Sequence, residues 1–280
     1  MTLLFALGLM AEALLILLAA KLVRDAFLAL RGTQVNAQIV AGGLATAVTQ
    51  AGYLVGVLLG FLGAVAGVAR GEGFFAGAAG VAVAGLVAIV LQLVADQVGD
   101  RLIFRGIDDE AAIKANNLAI AVGKAAVSVA TGLVLRGAMS DPEATLLGRV
   151  GWFAVAQAVM VLSVVAYCRL TPYDDLKEIA GNNLAAGFPI AGILLAVGFV
   201  MDTALTGRPS DSTAEAALRT AEFLGLNLLL IYALRVLGDL VLLPKMKLAQ
   251  AIVDHKNVGA GLQEGVSFVL ASLLVTFFLS

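Results

Sequence analysis

The sequence predicts an all-α integral membrane protein. Eight transmembrane helices are expected as four helical hairpins of parallel orientation. These form two tandem four-helix halves related by a pseudo-two-fold axis along the membrane normal. Three observations lead there. First, 61% of the 280 residues are hydrophobic and only 14% charged, whereas soluble domains carry roughly 25% charged residues. Second, the apolar residues fall into long blocks of the length a bilayer crossing requires. Third, polar junctions of similar composition recur along the chain, at Gln34–Ala37, Lys114–Asn117, Asp174–Asn183 and Asp254–Asn257.

The eight apolar segments run at 2–23, 36–68, 73–99, 112–138, 149–169, 180–204, 216–243 and 255–279. In lipid the backbone must satisfy its own hydrogen bonds, so each segment reads as a helix, and no barrel-type alternation is present. The first segment carries Glu12 and lacks a basic leader and a cleavage site, so it is expected to be a retained helix. The second carries a stripe of Gly52, Gly56, Gly60, Gly63 and Gly67. Small residues at this spacing let helix backbones approach closely. The stripe is expected to pack helices, and to be the contact if the protein forms a homo-oligomer. Pro189, early in the sixth segment, is expected to bend it.

Basic residues set the orientation. The loops after segments one, three, five and seven hold eleven (Lys21, Arg24, Arg31, Arg101, Arg105, Lys114, Arg169, Lys177, Lys245, Lys247, Lys256). The other side holds five (Arg70, Arg136, Arg149, Arg208, Arg219). The first set is therefore expected in the cytoplasm of a bacterial inner membrane, with both termini outside.

Internal repetition organises the segments. Ala11–Arg24 aligns without a gap on Ala156–Arg169, and Asp96–Asp100 on Arg235–Asp239. The first hairpin thus pairs with the third and the second with the fourth. The expected units are 1–140 and 141–280. The junctions Ala115-Asn116-Asn117-Leu118-Ala119 and Gly181-Asn182-Asn183-Leu184-Ala185, with single-Asn versions at Asn36 and Asn257, resemble the bacterial membrane family called Domain of Unknown Function 350. The resemblance covers nearly the whole chain as two family-length units. It implies an inner-membrane location and an association with membrane-stress and polyamine-related systems. It implies no activity and no catalytic residue.

Ionisable groups at membrane depth are costly and each calls for a reason. Five stand out: Glu12, Asp96, Lys124, Arg235 and Glu264. Asp96 and Arg235 occupy equivalent repeat positions, as do Lys124 and Glu264, so one half has Asp with Lys and the other Arg with Glu. Intramembrane pairs Asp96–Lys124 and Arg235–Glu264 are expected, with cross-pairing of the halves as the alternative. Glu12, Gln157 and Asn227 fall at one repeat depth, about 18 Å from the turn end, and could form a polar layer. Asn36, Asn116, Asn117, Asn182, Asn183 and Asn257 read as helix caps. Asp108-Asp109-Glu110 and Asp174-Asp175 read as solvated interfacial charge.

Several classes are excluded. A net charge of -2 argues against nucleic-acid partners, which want a basic surface. One cysteine, Cys168, and one histidine, His255, leave no disulfide and no Cys/His metal site. Walker A, HExxH, GxSxG and nucleotide fingerprints are missing, so no enzyme, cofactor or metal is expected. What remains is a non-enzymatic membrane protein in contact with lipid. The leading reading is a bundle that passes small cations or protons. The alternative is a scaffold that holds a cytoplasmic protein partner through loop charges around Asp174, Lys245 and Lys247.

Overall fold

The structure, a computed structural model, describes residues 3–67, 74–141, 145–206, 213–237 and 247–279. It is all-helical, with no strand among the described residues. A three-part order recurs four times: a long helix, a six-residue helix, and a second long helix. These are α1 (Leu3–Leu30), α2 (Val35–Val40) and α3 (Leu44–Ala66); α4 (Phe74–Val98), α5 (Asp109–Lys114) and α6 (Leu118–Met139); α7 (Leu146–Leu170), α8 (Asp175–Ala180) and α9 (Leu184–Leu205); and α10 (Thr213–Leu237), α11 (Leu248–Val253) and α12 (Val258–Leu279). Seven of the long helices, all but α10, are long and apolar enough to cross a membrane. The chain is a multi-pass helical membrane protein.

The helices form two layers. α3, α6, α9 and α12 lie side by side in that order as an inner row, each packed most extensively on its neighbours in the row. Around them, α1 packs on α3 and α4, α4 on α3 and α6, α7 on α6 and α9, and α10 on α9 and α12. Glycine makes the row possible. A methyl group on Gly52 would strike Ala125, one on Gly63 would strike Arg136, and Gly56 and Gly132 face each other backbone to backbone. Gly187 and Gly198 do the same for α9 against Ala119 and Ala130, and Gly261 and Gly265 for α12 against Ala185 and Phe188. Contacts climb both helices together, so the inner helices run in one direction. Gly52, Gly56, Gly60 and Gly63 are buried. The stripe is thus consumed by α6 within the chain, which removes it as an oligomer contact.

Two further expectations are corrected, one on the second segment and one on the repeat alignment. The apolar block 36–68 is not one helix: Gly42, in the left-handed region at φ 87°, ends α2 before α3 begins. Pro189 lies inside an unbroken α9. Its missing N–H leaves Ala185 O without the usual i+4 donor, and the Gly261 backbone packs directly against that oxygen. The gapless alignment of the first and third hairpins also shifts. With α2 and α8 in register, Glu12 falls opposite Trp152 rather than Gln157.

Candidate functional site

The junctions between six-residue and inner helices tie the repeats together. Asn116 and Asn182, both at φ 59°, adopt the left-handed turn conformation that Asn tolerates better than most residues. Asn116 Oδ1 accepts from Ala45 N (2.8 Å) and Asn182 Oδ1 from Leu118 N (2.9 Å). Each therefore caps the inner helix of the preceding repeat. The following asparagine caps its own helix, Asn117 from Ile120 N (3.1 Å) and Asn183 from Ala185 N (3.2 Å). The same side chains donate forward, Asn117 Nδ2 to Ile179 O (2.9 Å) and Asn183 Nδ2 to Ile252 O (2.9 Å). Asn257 caps α12 through Ala260 N (3.2 Å). Asn36 is the exception. It lies inside α2 and accepts from Lys21 Nζ (2.9 Å), while the counterparts of Asn116-Asn117 are Gly42-Gly43.

Above these caps a polar column enters the first half. α4 ends in a π turn, Gly99–Ile103, a distortion often found at functional positions. Within it Asp100 pairs with Lys124 of α6, and Asp109 at the start of α5 pairs with the same ammonium. One turn deeper, Asp96 accepts from Ser128 Oγ (3.1 Å) and faces the Arg24 guanidinium at 3.6 Å. Arg24 also donates to Thr49 O (2.8 Å) and lies 4.5 Å over the Tyr53 ring. Deeper again, Gln92 Nε2 donates to Ser128 O (3.0 Å), and Gln157 Nε2 of α7 donates to Thr131 Oγ1 (3.1 Å). Arg24, Gln92, Asp96, Lys124, Ser128, Thr131 and Gln157 are all buried.

On α6 this column runs from Lys124 through Ser128 to Thr131, about 10 Å along the helix. Near the far end of α6, Arg136 pairs with the buried Asp202 of α9. That pair also bridges the two halves of the chain. Two cations and three carboxylates share the upper part of the column, so lysine already fills the place between Asp100 and Asp109. Among the described residues no group of three or more His, Cys, Asp and Glu is placed to hold a metal ion.

Neither expected ion pair is seen among the described residues. Lys124 does not pair with Asp96; its partners are Asp100 and Asp109. The reason is depth. α6 starts only at Leu118, so Lys124 stays near the turn end, level with the π turn that extends α4 beyond Val98. Asp96 meets the next turn of α6, at Ser128. Glu264 is buried and accepts from Tyr167 Oη (3.1 Å). The Arg235 side chain lies outside the described residues, as do Gly238 and Asp239, and so does the expected pair with Glu264.

Glu12, Gln157 and Asn227 do not form one layer. Glu12 is on α1 and Asn227 on α10, which pack toward opposite ends of the row. Glu12 Oε1 and both amide atoms of Asn227 are buried without a hydrogen-bond partner. In the acidic turn Asp108 is exposed and caps α5 through Ala111 N (3.0 Å), and Glu110 pairs with Arg31 at the surface (3.0 Å), whereas Asp109 turns inward to Lys124. Reading the sequence missed Arg24, Asp100, Asp109, Arg136 and Asp202. As loop charges Arg24 and Arg136 are misplaced: Arg24 directly follows the apolar block 2–23, and Arg136 lies inside the block 112–138.

Comparison with known proteins adds one result. No curated protein and no solved structure matches the chain. A family model described as Domain of Unknown Function (DUF350) matches it twice, over residues 2–139 and again over 143–279. The chain therefore belongs to the Domain of Unknown Function 350 family and carries its unit twice in tandem.

Proposed function

We propose that the protein is a non-enzymatic bacterial inner-membrane bundle that moves protons or small cations along the polar column of its first half. In this reading α10 is the eighth span. The four helix pairs are hairpins of one orientation, with their six-residue helices at the cytoplasmic face and both termini outside. The observation that carries it is the run of buried polar side chains Lys124, Asp96, Arg24, Ser128 and Gln92 on helices long enough to span a bilayer. Charges at that depth are concentrated where ions or protons pass. A purely structural lock would need one pair. Here five ionisable groups and several amides and hydroxyls lie among α1, α4, α5 and α6.

The test is ion flux in proteoliposomes, with H⁺, Na⁺ and K⁺ gradients, on the wild type and on Asp96→Asn and Ser128→Ala. Both variants keep side-chain volume nearly constant. A fall of about tenfold in flux in folded Asp96→Asn, equivalent to about 1.4 kcal/mol on a barrier, supports the reading. Undiminished flux in both variants, or none in the wild type at any voltage, overturns it. A flux-free protein would turn attention to the scaffold reading, in which charge substitutions around Asp174, Lys245 and Lys247 abolish capture of a cytoplasmic protein.

A further inference from the structure

Three neighbouring side chains on α3 and α4 keep hydrogen-bonding atoms that no group among the described residues satisfies: Gln50 at both amide atoms, Tyr53 at its hydroxyl and Gln92 at Oε1. They are deeply buried, Gln50 at 6% exposure and Tyr53 and Gln92 at 0%. Native proteins rarely leave buried polar atoms orphaned, and the usual remedy is an internal water. Their placement is ordered. Gln50, Tyr53 and Gly56 follow one another at three-residue steps along α3, and a methyl group on Gly56 would collide with Gln92 Nε2. Gln50 and Tyr53 thus lie along one ridge of α3, and Gln92 of α4 meets that ridge at Gly56, about 9 Å along the helix from Gln50.

We propose that Gln50, Tyr53 and Gln92 hold a file of internal water molecules between α3 and its outer-layer neighbours, beside the Arg24–Asp96 pair. The chemistry of the orphaned atoms selects water over a metal cation. Gln50 Nε2 and the Tyr53 hydroxyl offer donors, while Gln50 Oε1 and Gln92 Oε1 offer acceptors. Water can satisfy both kinds, whereas a bare cation satisfies acceptors alone. A water file passes protons by exchanging hydrogen bonds, so the species carried by this column is the proton. That last step rests on the proposed function; the hydration does not.

The experiment measures water-to-side-chain magnetisation transfer by NMR, on the full-length protein in lipid bilayers with labelled glutamine amides. Gln50→Leu and Gln92→Leu assign the two resonances. Rapid transfer from water to both amides is expected. Transfer to neither overturns the inference. Thermal unfolding of Gln50→Leu gives an independent sign. If the site is wet, leucine strands the water that Gln50 held and the midpoint falls, by about 2–4 °C. If it is dry, leucine removes an unsatisfied amide and the midpoint rises, which overturns the inference. In proteoliposomes, proton flux without Na⁺ or K⁺ flux, falling about tenfold in Gln92→Leu, supports the full reading. Hydrated amides in a protein without flux would uphold the water site and refute the proposed function. Dry amides in a conducting protein would do the reverse.

Discussion

Lys124 is the position where a single substitution tests the polar column most directly. It is buried between Asp100 and Asp109. Lys124→Met keeps the length of the side chain and removes its charge, leaving two carboxylates facing each other out of water. Breaking a buried pair by removing one partner costs about 3–5 kcal/mol, because the survivor is left uncompensated. Two survivors put the expected loss at the upper end of that range. Asp100→Asn alone should cost less, since Lys124 keeps Asp109. In the double variant most of the Lys124→Met penalty at Asp100 disappears, so the two changes should couple by at least about 1 kcal/mol. The matching cycle of Lys124 with Asp96 should couple less, because Asp96 is held by Arg24 and Ser128. Reversible unfolding in mixed micelles, read by tryptophan fluorescence at Trp152, gives the four stabilities of each cycle. A larger coupling to Asp96 than to Asp100 would refute the pairing and restore the partner the repeat alignment suggests.

Other outcomes follow from the packing and the caps. Asn117→Ala should lower stability by about 1–2 kcal/mol in the same assay, since it removes the α6 cap and the bond to Ile179 O together; Asn36→Ala, inside α2, should stay within about 0.5 kcal/mol. Gly132→Leu should prevent folding, measured as loss of a monodisperse peak on size exclusion, because the new side chain meets the Gly56 backbone. Gly80→Leu, where a Cβ meets nothing within 4 Å, should leave that peak unchanged. Asp202→Asn should weaken the bridge to Arg136 and let the two halves, expressed as separate chains, separate more readily on affinity purification.

The parts of this molecule legible in the sequence are those written in short-range pattern. Apolar blocks locate seven of the spanning helices, and Asn116-Asn117 and Asn182-Asn183 locate two of the four junctions because the turn needs a left-handed residue followed by a cap. The first junction escapes since Gly42 satisfies the same turn without asparagine, and the eye is drawn to Asn36 six residues earlier. The ion pairs fail for a different reason. Repeat alignment shows that two positions are equivalent, yet the contact depends on helix depth, and a π turn at Gly99–Ile103 moves Asp100 into the place assigned to Asp96. Arg24 and Arg136 are hidden by the same limit. A basic residue near the end of an apolar block reads as a loop anchor, and only packing reveals that it turns inward to Asp96 or Asp202.

The junction chemistry also differs along the inner row. Each first asparagine bonds back to the preceding inner helix, as Asn116 does to Ala45 and Asn182 to Leu118. At the first junction the position is Gly42, which supplies the turn and nothing more, and at the fourth it is Lys256, in the left-handed region at φ 46°. At the other end the surface of the helix changes. The positions through which α3, α6 and α9 receive the next helix are small: Gly52, Ala126 and Gly192 at one level, Gly56, Ala130 and Ala196 at the next, Gly63, Gly137 and Thr203 near the far end. On α12 the same positions are Val266, Leu270 and Phe277, all well exposed. Their bulk denies a further helix the close backbone approach seen at the other three contacts, while suiting lipid chains, against which large apolar side chains cost nothing. Among the described residues the row thus ends on a face of bulky apolar side chains where its other members carry a docking surface.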